Sequence, residues 1–239
     1  MGNLPFYIPL VFVITTMLTF FFIVKAFHYS KVILAAILIW LMAQGIIAST
    51  GFYTHTSTLP PRLLLALLPP LVVIILLFTT TKGKKIIGAV ATDTLVLLHI
   101  VRITVEITLL MLFIHKTIPG IITFEGRNFD IVSGITAPLV YYWGFVKKKM
   151  KPWLINAWNI VCLLLLANVV ITAILSAPFP FQQFAFDQPA IAVLYAPYIW
   201  LPSFIVPAVL FAHLAVLRQI KKQTAVNKAA DQSTKLATI

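Results

Sequence analysis

Residues 88–115 read GAVATDTLVLLHIVRITVEITLLMLFIH, and this run decides the fold. It is long enough to cross a bilayer, because a spanning helix needs roughly 20 mostly apolar residues. His99, Arg102 and Glu106 lie in its middle, where an ionised side chain facing lipid costs about 3 kcal/mol or more. At about 100° per residue the three side chains share one helical face. We therefore expect this face to point into a bundle of helices.

The composition of the whole chain is typical of an integral membrane protein. Of its 239 residues, 61% are hydrophobic and only 10% are charged, whereas soluble domains are about a quarter charged. The net charge of +12 comes from short basic clusters between apolar runs. No basic stripe is interleaved with aromatic residues that could stack on bases, so we expect no nucleic-acid partner.

The apolar runs predict an all-α fold with seven transmembrane helices, and the lipid bilayer as its main partner. These spans are expected near 6–24, 32–49, 62–79, 87–114, 131–146, 153–176 and 190–217. Together they make one transmembrane domain over residues 1–222. The polar stretch 223–239 loses the apolar periodicity and is predicted to be a disordered tail.

The distribution of lysine and arginine predicts the orientation of the chain. Of the 18 basic residues, 14 follow the first, third, fifth or seventh span. By the positive-inside rule these joints face the cytoplasm. The prediction is thus a bundle with its N-terminus outside and its C-terminus in the cytoplasm, most simply in the plasma membrane.

Several uncharged polar residues are expected at the depth of the ionisable face. Gln44, Asn168 and Tyr198 lie slightly toward the outer side of their spans, as Glu106 does. We predict that these residues, with His99, Arg102 and Glu106, form a ligand-binding layer in the outer half of the membrane. The i,i+4 spacing of Arg102 and Glu106 also permits a salt bridge along the helix. A purely structural ion pair that fixes helix register is the alternative.

The outer loop before the fifth span carries charges of both signs. Glu125, Arg127 and Asp130 lie in it and are predicted to form an outer vestibule. A loop that folds inward as a lid or re-entrant segment and an ordinary solvated loop both fit the sequence. Asp130 is also a plausible N-cap of the fifth helix.

Prolines interrupt the third and seventh spans, where they remove backbone donors and favour kinks. Those in the third span are Pro69 and Pro70, and those in the seventh are Pro197, Pro202 and Pro207. Interrupted helices in corresponding positions often mark the binding site of a transporter. We interpret these prolines as points of gating.

The sequence identifies no metal site and no cofactor. No two histidines have the i,i+4 spacing of a helical zinc site, and no Cys-x-x-Cys is present. A haem between His28 and His213 is an alternative that rests on their similar depth. The seventh span contains no lysine for a Schiff base, which excludes a retinal protein.

These observations favour a protein that binds or transports a small polar or anionic ligand. Arg102 would bind the ligand, Glu106 would balance the charge of the empty site, and His99 would exchange a proton. One alternative is an intramembrane enzyme that acts on a lipid-like substrate, with His99 as base and Glu106 as acid. Another is a sensor or assembly subunit whose lysines bind anionic lipid or a cytoplasmic partner. No catalytic nucleophile is identified.

Overall fold

The computed structural model describes the backbone of residues 4–237 and the side chains of residues 4–226. The described part of the chain is helical and contains no strand. Its α-helices are α1 (Tyr7–Ala26), α2 (Lys31–Ser49), α3 (Leu64–Thr79), α4 (Thr81–Ala89), α5 (Thr92–Leu98), α6 (Val101–Ile114), α7 (Ile131–Tyr141), α8 (Pro152–Ser176) and α9 (Val206–Ala237). A π-helical turn at Tyr142–Val146 extends α7, and another at Leu201–Ile205 leads into α9.

In the part of the chain that the structure describes, five helices are long and apolar enough to cross a membrane. They are α1, α2, the combined α5–α6 run Thr92–Ile114, α8, and the helix over Leu201–Val226. A sixth span arises if α3 and α4, which are bent by 92° relative to each other, count as one crossing. The apolar helix Ile131–Val146 is shorter. The all-α prediction is confirmed for the described residues, while the predicted number of seven crossings stays a prediction.

The run Thr92–Ile114 and the helix over Leu201–Val226 form the centre of the bundle. They are the two most deeply buried of the five spans, and α5 packs directly on α9. α1 packs on both α5 and α6, while α7 and α8 pack on the same central pair. α2 lies at the periphery and exposes most of its apolar surface. The ionisable residues of α6 therefore lie in the best-packed part of the protein.

The predicted seventh span begins about ten residues too early. Residues 192–199 form a short 3₁₀ turn and irregular turns, and the helix begins at Trp200 and Leu201, where it opens with a π-helical turn. Pro197 therefore lies outside the helix, in contrast to the sequence prediction. Proline lacks a backbone donor, so Pro197 opposes an earlier start of the helix, whereas Pro202 is tolerated in the first turn. Pro69 and Pro70 do lie inside α3, as expected.

The fourth span begins later than predicted, because residues 87–89 belong to α4. α4 is bent by 92° relative to α3. The Thr80 hydroxyl caps α4 by accepting a hydrogen bond from the Gly83 amide at 3.1 Å. At the other end, the Gln219 amide nitrogen donates to the carbonyls of Ile87 (2.7 Å) and Val90 (2.9 Å). Gln219 thus ties the end of α4 to α9, and the membrane-length run starts at Thr92 rather than at residue 87.

The C-terminal segment is helical where the sequence predicts disorder. The backbone of α9 continues to Ala237, so it includes residues 223–237. This segment contains no glycine or proline and several alanines, a composition compatible with a helix. Residues 238–239 of the predicted tail lie outside the described residues. The predicted domain boundary at residue 222 stays a prediction.

Gly83 provides a test of the α3–α4 corner. A Cβ atom at this position would collide with the backbone of Leu77, whereas a Cβ atom at Gly88 of the same helix would meet no other atom within 4 Å. We expect Gly83→Ala to lower stability by about 1–3 kcal/mol, which corresponds to a fall of several degrees in the apparent melting temperature of purified protein.

Gly88→Ala is the matched control, and it should leave the melting temperature unchanged or raise it slightly, because alanine favours the helix by about 1 kcal/mol. Equal melting temperatures for the two variants would contradict the corner.

Candidate functional site

The three ionisable residues of the central run all face the protein interior, as their cost in lipid predicts. The exposed fractions of His99, Arg102 and Glu106 are 0%, 2% and 1%. The run is interrupted at His99 and Ile100, so His99 ends α5 while Arg102 and Glu106 lie on α6. The shared face is therefore divided between two helical segments.

Arg102 pairs with Asp130 and not with Glu106. The Arg102 Nη1 atom lies 2.8 Å from Asp130 Oδ1, and this is the only ion pair among the described side chains. The predicted salt bridge along the helix is therefore wrong. The helical spacing permits an Arg102–Glu106 contact, but a carboxylate from the outer loop reaches the guanidinium instead.

A close helix contact brings Asp130 to Arg102. Asp130 and Gly134 are four residues apart at the start of α7 and lie on one face of the helix. A Cβ atom on Gly134 would lie 2.8 Å from Ile103 Cγ1 and 3.3 Å from Arg102 Cβ. Glycine therefore lets α7 approach α6 closely. Asp130 does occupy the N-cap position, but its side chain makes no capping hydrogen bond.

Glu106 is bound by Asn128, a residue of the same outer loop. The Asn128 amide nitrogen donates to Glu106 Oε1 at 2.5 Å and to the Ile122 carbonyl at 3.0 Å. Its amide oxygen accepts a hydrogen bond from the Asp130 backbone at 2.9 Å. Asn128 thus links the Glu106 carboxylate to the backbone of Asp130. Sequence reasoning missed it, since a loop asparagine is common and its depth depends on the loop conformation.

The outer loop folds partly inward. Ile122, Thr123, Asn128 and Asp130 are buried, while Glu125 and Arg127 are exposed. The turn between these groups is tight, because a Cβ atom on Gly126 would collide with the backbone of Gly120 and Ile121. Of the predicted vestibule residues, Asp130 therefore belongs to the site, and Glu125 and Arg127 lie outside it.

A cavity of about 70 Å³ adjoins the charged residues. Arg102, Glu106 and Asp130 are its ionisable lining, and the remaining lining side chains are aliphatic residues from α6, α8, the outer loops and the region 201–209. The cavity has room for several water molecules or for a solute of a few non-hydrogen atoms. The result is a small cavity with three ionisable residues and otherwise apolar walls.

Several polar atoms at this cavity have no hydrogen-bond partner among the described residues. They are Arg102 Nε and Nη2, which are donors, and Glu106 Oε2, an acceptor. A buried polar group without a partner costs about 1–3 kcal/mol, and more if it is charged. Two residues that line the cavity thus keep donors and an acceptor that no described residue satisfies.

The other predicted layer residues do not line this cavity. Gln44 accepts a hydrogen bond from the Tyr53 hydroxyl at 2.6 Å. Asn168 is exposed and donates to the Arg127 carbonyl at 2.8 Å. The Tyr198 ring packs on Phe12 with centroids 5.2 Å apart. The sequence leaves open whether these three residues converge with Arg102 and Glu106. None of them lines the cavity, and their role in ligand binding stays a prediction.

Tyr53 lies outside the spans, and burial raises the pKa of its phenol, although the hydrogen bond to Gln44 opposes this shift.

His99 packs against His213, which the sequence analysis placed near the cytoplasmic end of the last span. Its ring stacks on His213 with centroids 3.8 Å apart, and Trp158 packs edge-on against it. His213 Nδ1 donates to Asn159 Oδ1 at 2.8 Å. The early start predicted for the last span put His213 near its cytoplasmic end. The span over Leu201–Val226 puts His213 at its middle.

The histidine stack also bears on the haem alternative. His28 Nε2 contacts the Ala89 carbonyl at 2.8 Å and lies at the exposed end of α1, while His213 is fully buried against His99. The haem alternative rests on a similar depth of His28 and His213, but one of them is exposed and the other is buried. Among the described residues, no group of three or more His, Cys, Asp and Glu side chains is placed to hold a metal ion.

The buried ion pair can be tested by a double-mutant cycle. Asp130→Asn and Arg102→Met should each lower the free energy of unfolding by about 3–5 kcal/mol, because each leaves one buried charge without its partner. The double variant should lose much less than the sum of the two. Unfolding of purified protein in detergent measures these values.

Glu125→Gln is the matched control, since it removes a carboxylate from an exposed position of the same loop. It should change stability by no more than about 0.5 kcal/mol. Additive losses in the Arg102–Asp130 cycle would show that the two residues do not interact.

Comparison with known proteins gives a family for this chain. The family described as Domain of unknown function (DUF8737) matches residues 60–221, more than half of the chain and a segment that includes Arg102, Glu106 and Asp130. No curated protein and no solved structure matches the chain. On this match, the chain is a member of the DUF8737 family.

Proposed function

We propose that this protein is a seven-helix membrane protein that binds or transports a small polar ligand in the cavity beside Arg102. The proposal rests on one observation, which is that the buried charged residues and the cavity coincide. Ionisable residues within membrane spans usually mark a substrate or ion pathway. A purely structural ion pair would not require unpartnered donors and an unpartnered acceptor around a cavity.

The charges of the site restrict the chemistry of the ligand. One guanidinium faces two carboxyl groups, Asp130 and Glu106. A bare anion would gain from Arg102 but would be repelled by both carboxylates. A neutral solute with an acceptor for Arg102 and a donor for Glu106 Oε2 avoids this repulsion. We therefore favour a neutral polar solute, or a short acid that binds together with a proton.

The stacked histidines support a coupling to protons. His99 has both ring nitrogens, and His213 has Nε2, without a hydrogen-bond partner among the described residues. Histidine is the side chain best suited to exchange a proton near neutral pH. His99 does not line the cavity, so in this proposal it takes up or releases a proton near the site. Because His99 does not line the cavity, it is poorly placed to act as the base of an intramembrane enzyme on a substrate bound there.

The outer loop is the proposed gate on the outer side. Ile122 and Asp130 from this loop line the cavity, and Asn128 fixes the loop to Glu106. Entry of a ligand would require the Asn128–Glu106 hydrogen bond to open. The π-helical turn at Leu201–Ile205, which contains Pro202, lines the cavity from the other side. Such turns are frequent at functional sites, since they leave backbone groups adjustable.

The proposed topology has seven crossings, with the N-terminus outside and the C-terminus in the cytoplasm. In this arrangement α3 crosses to the cytoplasmic side, α4 lies along that surface, and the run Thr92–Ile114 crosses back. The basic residues of α4 then agree with the positive-inside rule. The helix Ile131–Val146 would be a short crossing, and we propose the plasma membrane as the location.

The ligand proposal predicts that filling the cavity abolishes binding. Ala173 lines the cavity on α8, so Ala173→Phe should occupy it without removing a charged residue. Ala167→Phe is the matched control, since Ala167 is exposed on the same helix. The probes are lactate, glycolate, acetamide and urea, with tetramethylammonium as a cation that has no donor or acceptor.

At least one of the four polar solutes should raise the melting temperature of the native protein and of Ala167→Phe saturably. At about one hundred times the dissociation constant, the gain is about 2.7 kcal/mol, or several degrees. Ala173→Phe should show no such rise. A rise that persists in this variant, or the absence of a rise with all four solutes, would refute the proposal.

The topology predicts which loops can be labelled from outside. In a Cys162→Ala background, Glu125→Cys should react with a membrane-impermeant maleimide added to intact cells. Lys149→Cys, also at an exposed position, should react only after the membrane is opened. The reverse pattern, or equal labelling of both positions in intact cells, would contradict the proposed orientation.

A further inference from the structure

Another pocket lies where α4 meets the middle of α9, and it shares no lining residue with the cavity at Arg102. Its volume is about 510 Å³. The pocket is formed on one side by α4 and on the other by Arg218, Gln219 and Lys222 of α9. The hydrogen bonds from Gln219 to the end of α4 fix the two walls relative to each other. The pocket is thus a defined feature of the fold.

The charged side chains of this pocket all have the same sign. Lys84 and Lys85 come from α4, and Arg218 and Lys222 come from α9. None of the four forms an ion pair among the described side chains, and no acidic residue lines the pocket. Four cations brought together without a counter-charge repel one another, so the pocket is suited to bind an anion.

The neighbouring surface of α4 is apolar. Ile86 follows directly after Lys85 but lines a different cavity, of about 460 Å³, between α1, α2, α3 and the start of α9. The lining of that cavity is almost entirely aliphatic and aromatic, with Phe27, Ile33 and Pro70 among its members. α4 therefore separates a basic pocket from an apolar cavity. A ligand that matches both sides is an amphiphile with an anionic head.

We propose that α4 and the middle of α9 form a binding site for the headgroup of an anionic phospholipid. The phosphate would contact Lys84, Lys85, Arg218 and Lys222, and an acyl chain would extend along the apolar surface beside Ile86. Basic pockets between helices at the membrane surface are typical sites for such headgroups. This site is separate from the cavity at Arg102, so neither proposal depends on the other.

Purified full-length protein in a neutral detergent allows a direct test. The probes are dioctanoyl phosphatidylglycerol, dioctanoyl phosphatidylcholine with the same acyl chains, and inorganic phosphate. Binding is followed by native mass spectrometry and by the shift in melting temperature. The test variant is Lys85→Gln with Arg218→Gln, which removes one cation from each wall. Lys147→Gln with Lys149→Gln is the control, because it removes two exposed cations outside the pocket.

Phosphatidylglycerol should bind the native protein and the control equally. It should bind the test variant roughly 30-fold more weakly, because each cation near the surface contributes a factor of about five. Lys85→Arg with Arg218→Lys keeps the charges and should restore binding, which excludes a folding defect.

Three results would overturn the proposal. Equal losses in the test and control variants would indicate unspecific attraction to charge. Equal affinity for phosphatidylcholine would exclude a role for the anionic headgroup. Equal affinity for inorganic phosphate at the same residues would make the pocket a site for free anions and not for a lipid.

Discussion

An unpaired guanidinium in hydrocarbon costs about 3 kcal/mol or more, and the contact between Arg102 and Asp130 relieves this cost. The contact joins the central helix run to the outer loop and to the first turn of α7. It requires that α7 approach α6 closely, which Gly134 permits. It also requires that the outer loop turn inward, which in turn places Asn128 on Glu106. The position of the cavity follows from these contacts.

The Arg102–Asp130 pair neutralises only part of the charge in the site. Arg102 compensates one carboxyl group, while the site contains two, and Asn128 supplies only a neutral donor to the second. Buried pairs of this kind stabilise a fold little when compared with well-packed apolar side chains. Stabilisation of the fold is therefore a weak explanation for a buried ion pair at this position. In the proposed function, a ligand or a proton completes the charge balance.

The sequence predicts those features that depend on one helix at a time. Hydropathy predicts the apolar helices, and the cost of charge in lipid predicts that His99, Arg102 and Glu106 face inward. Pro69 and Pro70 were likewise expected inside α3. The partner of Arg102 cannot be predicted in this way, because the position of Asp130 depends on how the outer loop folds. His213 was misplaced for another reason: a boundary error of about ten residues moved the centre of its span. The later start of the run Thr92–Ile114 was not predicted, because residues 87–91 are apolar or small and their hydropathy does not show that α4 ends among them.

A dipolar recoupling measurement can detect the contact between Arg102 and Asp130 without changing either residue. Solid-state NMR of protein reconstituted in lipid bilayers can detect the coupling between a ¹⁵N-labelled Arg102 guanidinium and the ¹³C-labelled Asp130 carboxyl. A separation of 2.8 Å between Nη1 and Oδ1 requires a strong coupling of this pair. A coupling of the guanidinium to the Glu106 carboxyl instead, or to neither, would contradict the account.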